Sequence, residues 1–219
     1  DWNWWYGDDR SSALDEEFDR LFRAHLIKAY RILGKSVPGR FWQPICSGFR
    51  LPVQAPLSYI SPTIDGVLSN YFEWHNAGFL ELFRLGGTMH QSSKVLKMLY
   101  FGFDKEHLFL RFDSLEPLLP FHLKVCFTNL NSYILYKTKE NEILLTCEEK
   151  KCPHRIEAAY GNLIEMKIPL ADLQLEAGKP LHIRIQLERD GSLVEEYPPF
   201  GSLEVTVPGA DFFLENWSI

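Results

Sequence analysis

The sequence lacks the features of a membrane protein and of a nucleic-acid-binding protein. It has no uninterrupted apolar run close to the roughly 20 residues that a membrane-spanning helix needs. It also has no basic stripe, because 23 Lys and Arg are mixed along the chain with 29 Asp and Glu, for a formal net charge of −6. We therefore predict no membrane partner and no nucleic-acid partner.

Signatures of catalysis and of metal binding are also missing. There is no G-x-S-x-G turn and no Gly-rich phosphate loop, and the 7 histidines are scattered without the spacing of a zinc site. The 4 cysteines are too few for a disulfide scaffold, and reduced cysteines would suit a cytoplasmic protein. No cofactor is predicted. A structural calcium stays open, since its oxygen ligands converge only in three dimensions.

The segment "CEEKKCPH" (147–154) has two cysteines and a histidine at close spacing. A zinc site would need a second pair of Cys or His ligands at a suitable distance, and the sequence has none. The segment therefore predicts a charged hairpin tip. A local disulfide between its two cysteines is left open.

Aromatic residues are abundant and unevenly placed. They make up 14% of the 219 residues, within a hydrophobic fraction of 46% that suits a packed core. Three of the 6 tryptophans lie in the first five residues, in "DWNWWYGDD" (1–9). The chain begins with Asp and not with Met, as expected of a processed N-terminus or of a piece of a longer protein.

The patterns along the chain predict three parts. Residues 11–34 carry apolar side chains at three- and four-residue spacing and end at Gly34, which predicts one long helix. Prolines 38, 44, 52, 56 and 62 exclude a regular helix or a central strand, and they predict an extended linker. We place the end of a helical region at 1–36, the linker at 37–56 and a second domain at 57–219.

The second domain changes from a helical period to alternation of apolar and polar residues. Strand-like segments separated by short turns recur at 96–103, 107–113, 121–129, 132–137, 142–147, 154–160, 162–170, 181–197 and 202–207. No helix-length segment lies between them. The fold class predicted is mainly β: an antiparallel β-sandwich, like that of a carbohydrate-binding module, preceded by one long α-helix.

Two segments place aromatic rings beside carboxylates, as many sugar sites do. A ring face covers the C–H surface of a pyranose, and a carboxylate accepts hydrogen bonds from its hydroxyls. The first segment is "WNWWYGDD" (2–9). The second is "SPTIDGVLSNYFEWHNAGF" (61–79), where Tyr71, Phe72 and Trp74 bring three rings together, and in which we single out Tyr71 and Trp74 as substrate-binding candidates. For both segments the alternative is hydrophobic packing, in the core or against another domain.

The first 34 residues carry a resemblance to a known family. The segment "DWNWWYGDDRSSALDEEFDRLFRAHLIKAYRILG" resembles a late conserved segment of glycoside hydrolase family 57, whose members include amylopullulanases and α-amylases. In that family W-x-W-W-Y-G-D-D leads into a helix with the pattern E-F-D-x-L-F-R-x-H-L. Arg10 departs from the pattern, since His is expected there, and this puts the substrate in doubt.

Residues 57–219 are similar to the β-sandwich that follows the catalytic part in some of these enzymes. They also resemble the C-terminal module of glucodextranase and, more distantly, DOMON-like sandwiches and family 9 carbohydrate-binding modules. The opening "IDG", the hairpin "LYFGFDKEHLFLRF" and the ending "FFLENWSI" carry this similarity.

The resemblance implies a function for the whole chain. Family 57 enzymes are retaining, with a Glu nucleophile and an Asp acid/base on a barrel that precedes the aromatic segment. Neither motif occurs here, so the resemblance implies the non-catalytic C-terminal region of an α-glucan-active hydrolase, inactive alone. Its implied partners are an α-glucan and the upstream catalytic barrel. A purely structural, interdomain module that binds no sugar is the alternative.

The resemblance also assigns roles within the aromatic segment. In the family this segment borders the substrate cleft. The resemblance therefore implies that the sugar is contacted by Trp4, Trp5, Tyr6 and Asp8.

Overall fold

The computed structural model describes residues 15–42, 52–85, 94–198, 202–209 and 212. The chain divides into two compact units. One contains Asp1–Leu51 with Gly86–Gln91, and the other contains Pro52–Leu85 with Ser92–Ile219. In the described part, no helix is both long and apolar enough to cross a membrane.

The first unit contains the predicted helix. Helix α1 spans Asp15–Ile32, and the first residues of the predicted range lie outside the described part. It ends in the way that the sequence predicts. Gly34 adopts a φ of +64°, and the amides of Gly34 and Lys35 donate to the carbonyls of Arg31 and Tyr30 at 3.1 and 3.0 Å. These bonds form a Schellman motif, which satisfies carbonyls that the helix end would otherwise leave unpaired.

The second unit is built from thirteen strands in the described residues. In chain order they are β1 (Val53–Gln54), β2 (Gly78–Glu81), β3 (Leu96–Phe103), β4 (His107–Ser114), β5 (His122–Phe127), β6 (Ser132–Lys137), β7 (Glu142–Cys147), β8 (Lys150–Cys152), β9 (Glu157–Tyr160), β10 (Ile164–Pro169), β11 (Pro180–Arg189), β12 (Ser192–Tyr197) and β13 (Leu203–Thr206).

The strands form two antiparallel sheets. Sheet A has the order β1-β2-β3-β4-β10-β9, and sheet B has the order β12-β11-β5-β6-β7-β8, with β13 also paired to β11. Every strand pair is antiparallel. The predicted fold class, mainly β with two antiparallel sheets and one helix before them, is confirmed.

The core follows from the alternation of each strand. In β5 the buried residues alternate with half-buried ones, and β11 has the same alternation over most of its length. The inward side chains are large and apolar, and they include Leu123, Val125, Phe127, Ile183 and Ile185, each 0% exposed. The central strands of sheet A differ: β4 has five consecutive buried residues. Both faces of sheet A are therefore covered, whereas sheet B is covered on one.

The strand predictions were accurate in their bounds for three strands. The bounds predicted for β3, β6 and β7 coincide with the observed ones. Three short strands were missed, namely β1, β2 and β8. Strand β1 lies within the predicted linker, and this is possible because it is at the edge of sheet A, where neighbouring prolines interrupt no ladder.

Candidate functional site

Residues 57–77, which we call the cover segment, pack on the outer face of sheet A. Ile60, Trp74 and Ala77 form a buried cluster with Phe109 of β4. Gly102 of β3 makes room for this contact, because a Cβ atom there would lie 2.5 Å from Cδ1 of Ile60. The cover segment is also hydrogen-bonded to the last residue of β3, since the amide of Ile60 donates to the carbonyl of Phe103 at 2.8 Å.

A buried carboxylate ties the cover segment to the sheet. Glu165 of β10 is 0% exposed, and it accepts three hydrogen bonds from the segment. The donors are the amides of Asp65 and Gly66, at 3.2 and 3.0 Å, and the indole Nε1 of Trp74, at 3.0 Å. Desolvation raises the pKa of the Glu165 carboxyl above its ordinary value, and the three donors oppose this rise.

The turn that supplies two of these donors depends on its glycine. Gly66 has a φ of +79°, a conformation that disfavours side chains. A Cβ atom at this position would also lie 2.5 Å from the backbone nitrogen of Gly161, in the turn between β9 and β10. Asp65 stabilises the turn, because its Oδ1 accepts from the amide of Val67 at 2.9 Å. The turn at Asp65 and Gly66 is thus a contact point between two loops.

A buried arginine lies next to the carboxylate. Arg111 of β4 is directly opposite Glu165 in the strand register and is 7% exposed. Its guanidinium donates from Nε and Nη2 to both oxygens of Asp113, at 2.8 and 2.9 Å. It lies over the ring of Tyr100 at 4.6 Å and 5.9 Å from the centre of the Trp74 ring. The polar groups under the cover segment are therefore hydrogen-bonded or stacked on rings.

Two aromatic rings of the cover segment face solvent. A short 3-10 helix spans Tyr71–Trp74, and Asn70 caps it by accepting from the amide of Phe72 at 3.0 Å. Tyr71 is 70% exposed and Phe72 is 74% exposed. Their ring centres are 5.5 Å apart with the planes at 83°, and the Tyr71 ring is also 5.5 Å from that of His75. We call Tyr71, Phe72 and His75 the aromatic platform.

A carboxylate lies between the two exposed rings and Trp74 in the sequence. Oε1 of Glu73 accepts from the hydroxyl of Ser69 at 3.0 Å. Among the described residues, Oε2 of Glu73 has no hydrogen-bond partner. Because this oxygen is buried, it is not an acceptor on the exposed surface of the platform.

The structure separates the two site residues predicted in the "YFEW" segment. Tyr71 is on the platform, but Trp74 is 4% exposed and its indole N–H is bound to Glu165. The burial supports the packing alternative for Trp74, whose ring face is not open to a ligand. Its place beside Tyr71 is taken by Phe72, which is in the same short helix. The other predicted site residues, Trp4, Trp5, Tyr6 and Asp8, lie outside the described residues.

Sequence reasoning missed Glu165 and Arg111. Each is a charged residue within an apolar strand, in "NLIEMKIPL" (162–170) and "HLFLRFD" (107–113). A charge in a strand that is buried on both faces must be paired, and this was the signal that could have singled them out.

An open groove of about 620 Å³ at the β3–β4 turn is lined by residues that include Asp104, His107, Arg155 and Leu175, with no Tyr, Phe or Trp among those described. No group of three or more His, Cys, Asp or Glu in the described ranges is arranged to hold a metal ion. The aromatic platform is therefore the candidate functional site.

Comparison with known proteins gives no family for this chain. No family model matches it, and no curated protein matches it. The resemblance to glycoside hydrolase family 57 stays a prediction.

Proposed function

We propose that this chain is a non-catalytic β-sandwich region of an α-glucan-active glycoside hydrolase, and that it binds carbohydrate through Tyr71 and Phe72. The observation that carries the proposal is the exposure of two adjacent rings, 70% and 74%, on a helix that is fixed to the sheet. Large apolar rings gain most from covering the C–H face of a sugar when they are exposed before binding and already ordered.

The fixation comes from Trp74. It ends the same short helix, and its indole donates to a carboxylate that is fully buried in sheet A. Binding therefore requires little ordering of the backbone that carries the rings, and this lowers the entropic cost of association.

The angle between the rings supports an α-glucan over a β-glucan. Planes at 83° cannot both lie flat on the extended ribbon of a β-1,4-glucan. An α-glucan chain curves, so that neighbouring glucose units can present their faces to rings at a steep angle. The curved chain is also the substrate class that the resemblance implies.

The test is binding of the full chain to maltooligosaccharides, amylose, pullulan and dextran, measured by calorimetry and by affinity electrophoresis, with cellooligosaccharides for comparison. We expect binding to an α-glucan, weakened about tenfold or more by Tyr71→Ala or Phe72→Ala, since loss of an aromatic anchor costs more than about 1.4 kcal/mol. The matched control is Leu193→Ala, an exposed apolar residue in sheet B that is 54% exposed. Absence of binding to every glucan by the folded chain would refute the proposal.

A second candidate function is a structural module that docks on its own catalytic barrel. It is favoured by exposed aliphatic residues close to the platform in the cover segment, Val67 at 37% and Leu68 at 47%. Under this candidate the unchanged chain binds no glucan, and neither does the Tyr71→Ala variant. The variant should instead associate more weakly than the unchanged chain with the upstream barrel when chain and barrel are mixed. Co-sedimentation and calorimetry with that barrel distinguish the two.

A further inference from the structure

Two cysteines lie on one face of a tight hairpin at the edge of sheet B. Strands β7 and β8 are joined by Glu148 and Glu149, both in the left-handed region with φ of 47° and 63°. Cys147 pairs with Lys150, and Cys152 pairs with Leu145. Since side chains alternate along each strand, Cys147 and Cys152 point to the same face as diagonal neighbours.

The two thiols are free, and the strand register makes their residues diagonal neighbours. Both residues are half-buried, and the thiol of Cys152 donates to the carbonyl of Lys150 at 3.6 Å. Burial and the neighbouring thiol of Cys152 raise the pKa of Cys147 to about 11. Diagonal neighbours lie about 7–8 Å apart in a flat ladder, whereas a disulfide needs Cα atoms within about 7 Å, so closure requires a small displacement.

The edge of the sheet permits that displacement. Strand β8 has three residues and pairs with β7 alone among the described strands. The nearby histidine is not a third ligand for a metal at this place. Nδ1 of His154 accepts from the amide of Ile156 at 3.3 Å, and its Nε2 lies 3.2 Å from the carbonyl of Ile143, to which it donates. Both ring nitrogens are thus used within the fold.

We propose that Cys147 and Cys152 form an oxidation site, which closes into an intrachain disulfide by exchange with a small-molecule disulfide. The thiolate of Cys152 attacks the small disulfide, which releases one thiolate. The thiolate of Cys147 then attacks the Cys152 sulfur of the mixed disulfide and releases the second. In all, two protein thiols are oxidised, one small disulfide is reduced to two thiols, and the two protons are distributed among the released thiols and solvent.

The pair of cysteines differs from the third described cysteine in having a neighbouring thiol. Cys126 of β5 lies on the outer face of sheet B, where its thiol donates to Oε1 of Gln186 at 3.8 Å, and no second thiol is near it in the described residues. A mixed disulfide on Cys126 has no neighbour to resolve it. The proposal therefore distinguishes a closing pair from a single thiol within one molecule.

The experiment treats the full native chain with oxidised glutathione and maps the products by mass spectrometry after trypsin digestion. Lys150 and Lys151 lie between the two cysteines, so trypsin separates Cys147 from Cys152 unless a disulfide joins them. We expect a linked pair of peptides containing Cys147 and Cys152, with the loss of two hydrogen atoms. Cys126→Ser should leave this product unchanged.

The variants make the outcome decisive. In Cys147→Ser the mixed disulfide on Cys152 should persist, at a level at least several-fold above that in the unchanged chain. Stable glutathione adducts on both Cys147 and Cys152 of the unchanged chain, or linkage of either to Cys126, would overturn the proposal. A native chain in which neither cysteine reacts over hours, while denatured chain does react, would also overturn it.

Discussion

The outer faces of the two sheets are both built from antiparallel strands, but one is covered by another segment and the other is open. The outer face of sheet A is covered by residues 57–77, and a row across it contains Tyr100, Arg111 and Glu165. The corresponding row of sheet B contains Gln186, Lys124 and Leu135 and is left half-buried, with no cover among the described residues. Both rows mix polar and apolar side chains, so composition of the strands alone does not decide which face is covered.

The difference lies in how the charges are satisfied. On sheet B they form ion pairs with one another across strands, such as Arg184 with Glu196 at 2.9 Å and Lys124 with Glu188 at 3.9 Å. On sheet A, Glu165 accepts from the cover segment alone among the described residues, through two amides and an indole. Charges on an open face can use water, whereas Glu165 requires the cover segment. The comparison indicates that Glu165 holds the segment, and with it the platform, in place.

The largest expected effect follows from removing this carboxylate. Glu165→Ala leaves two amides and an indole N–H without an acceptor in a buried site, and we expect it to lower the free energy of unfolding by about 3–5 kcal/mol. Urea unfolding followed by tryptophan fluorescence measures the loss. The matched control is Glu188→Ala on the open face of sheet B, for which we expect a change within about 0.5 kcal/mol. Equal losses in the two variants would contradict the difference between the faces.

The next effect concerns the turn that Glu165 binds. Gly66 and Gly178 have nearly equal φ values, +79° and +77°, but only Gly66 has backbone atoms where a Cβ would be placed. Gly66→Ala and Gly178→Ala therefore share the same backbone strain. We expect Gly66→Ala to cost about 1–3 kcal/mol more, because the turn must move away from Gly161. Chemical denaturation of both variants gives the difference, and a difference near zero would show that the two loops are not in contact.

A third, smaller effect is the dependence of stability on pH. Burial raises the folded-state pKa of Glu165. A carboxyl whose pKa is higher in the folded state binds protons more readily there, so its contribution to stability is complete below the unfolded pKa of about 4.3 and is lost as the pH rises through the folded pKa. We expect the stability of the unchanged chain, relative to that of Glu165→Gln, to fall as the pH increases above about 4.3. Urea midpoints measured from pH 4 to pH 8 check the direction. A relative stability that increases with pH would show that the three donors outweigh desolvation.

Most of the fold was accessible from the sequence, and the contacts of the cover segment were not. Alternation over six residues identifies β6, because each face of this strand has one environment, whereas β3 is identified by a largely apolar run next to a short turn. Strand β2 has four residues and follows a segment that mixes rings with polar residues, so its period is too short to recognise. The association of Trp74 with Glu165 spans 91 positions, and no local pattern encodes it.

The same limit explains the outcome for the candidate site. Tyr71, Phe72 and Trp74 occur within four residues, and the sequence offers no means of deciding which ring is buried. A 3-10 helix has about three residues per turn, so its period does not distinguish Tyr71 from Trp74, although Tyr71 is exposed and Trp74 is buried. Which ring is buried depends on the hydrogen-bond acceptor for the Trp74 indole, and sheet A provides this acceptor. The residues of the N-terminal aromatic segment stay predictions.

The smallest effect concerns the charges of the open face. The charged groups of Lys124 and Glu188 are 3.9 Å apart, and each side chain is 26% exposed. A double-mutant cycle with Lys124→Ala and Glu188→Ala should give a coupling energy of at most about 0.2–1 kcal/mol, because water and salt screen the pair. The coupling should fall further when the salt concentration is raised. The same cycle for Arg111 and Asp113, which are joined by two bonds beneath the cover segment, should give a larger value with a weaker salt dependence. Equal coupling energies and equal salt dependence in the two cycles would mean that the cover segment does not exclude water from sheet A.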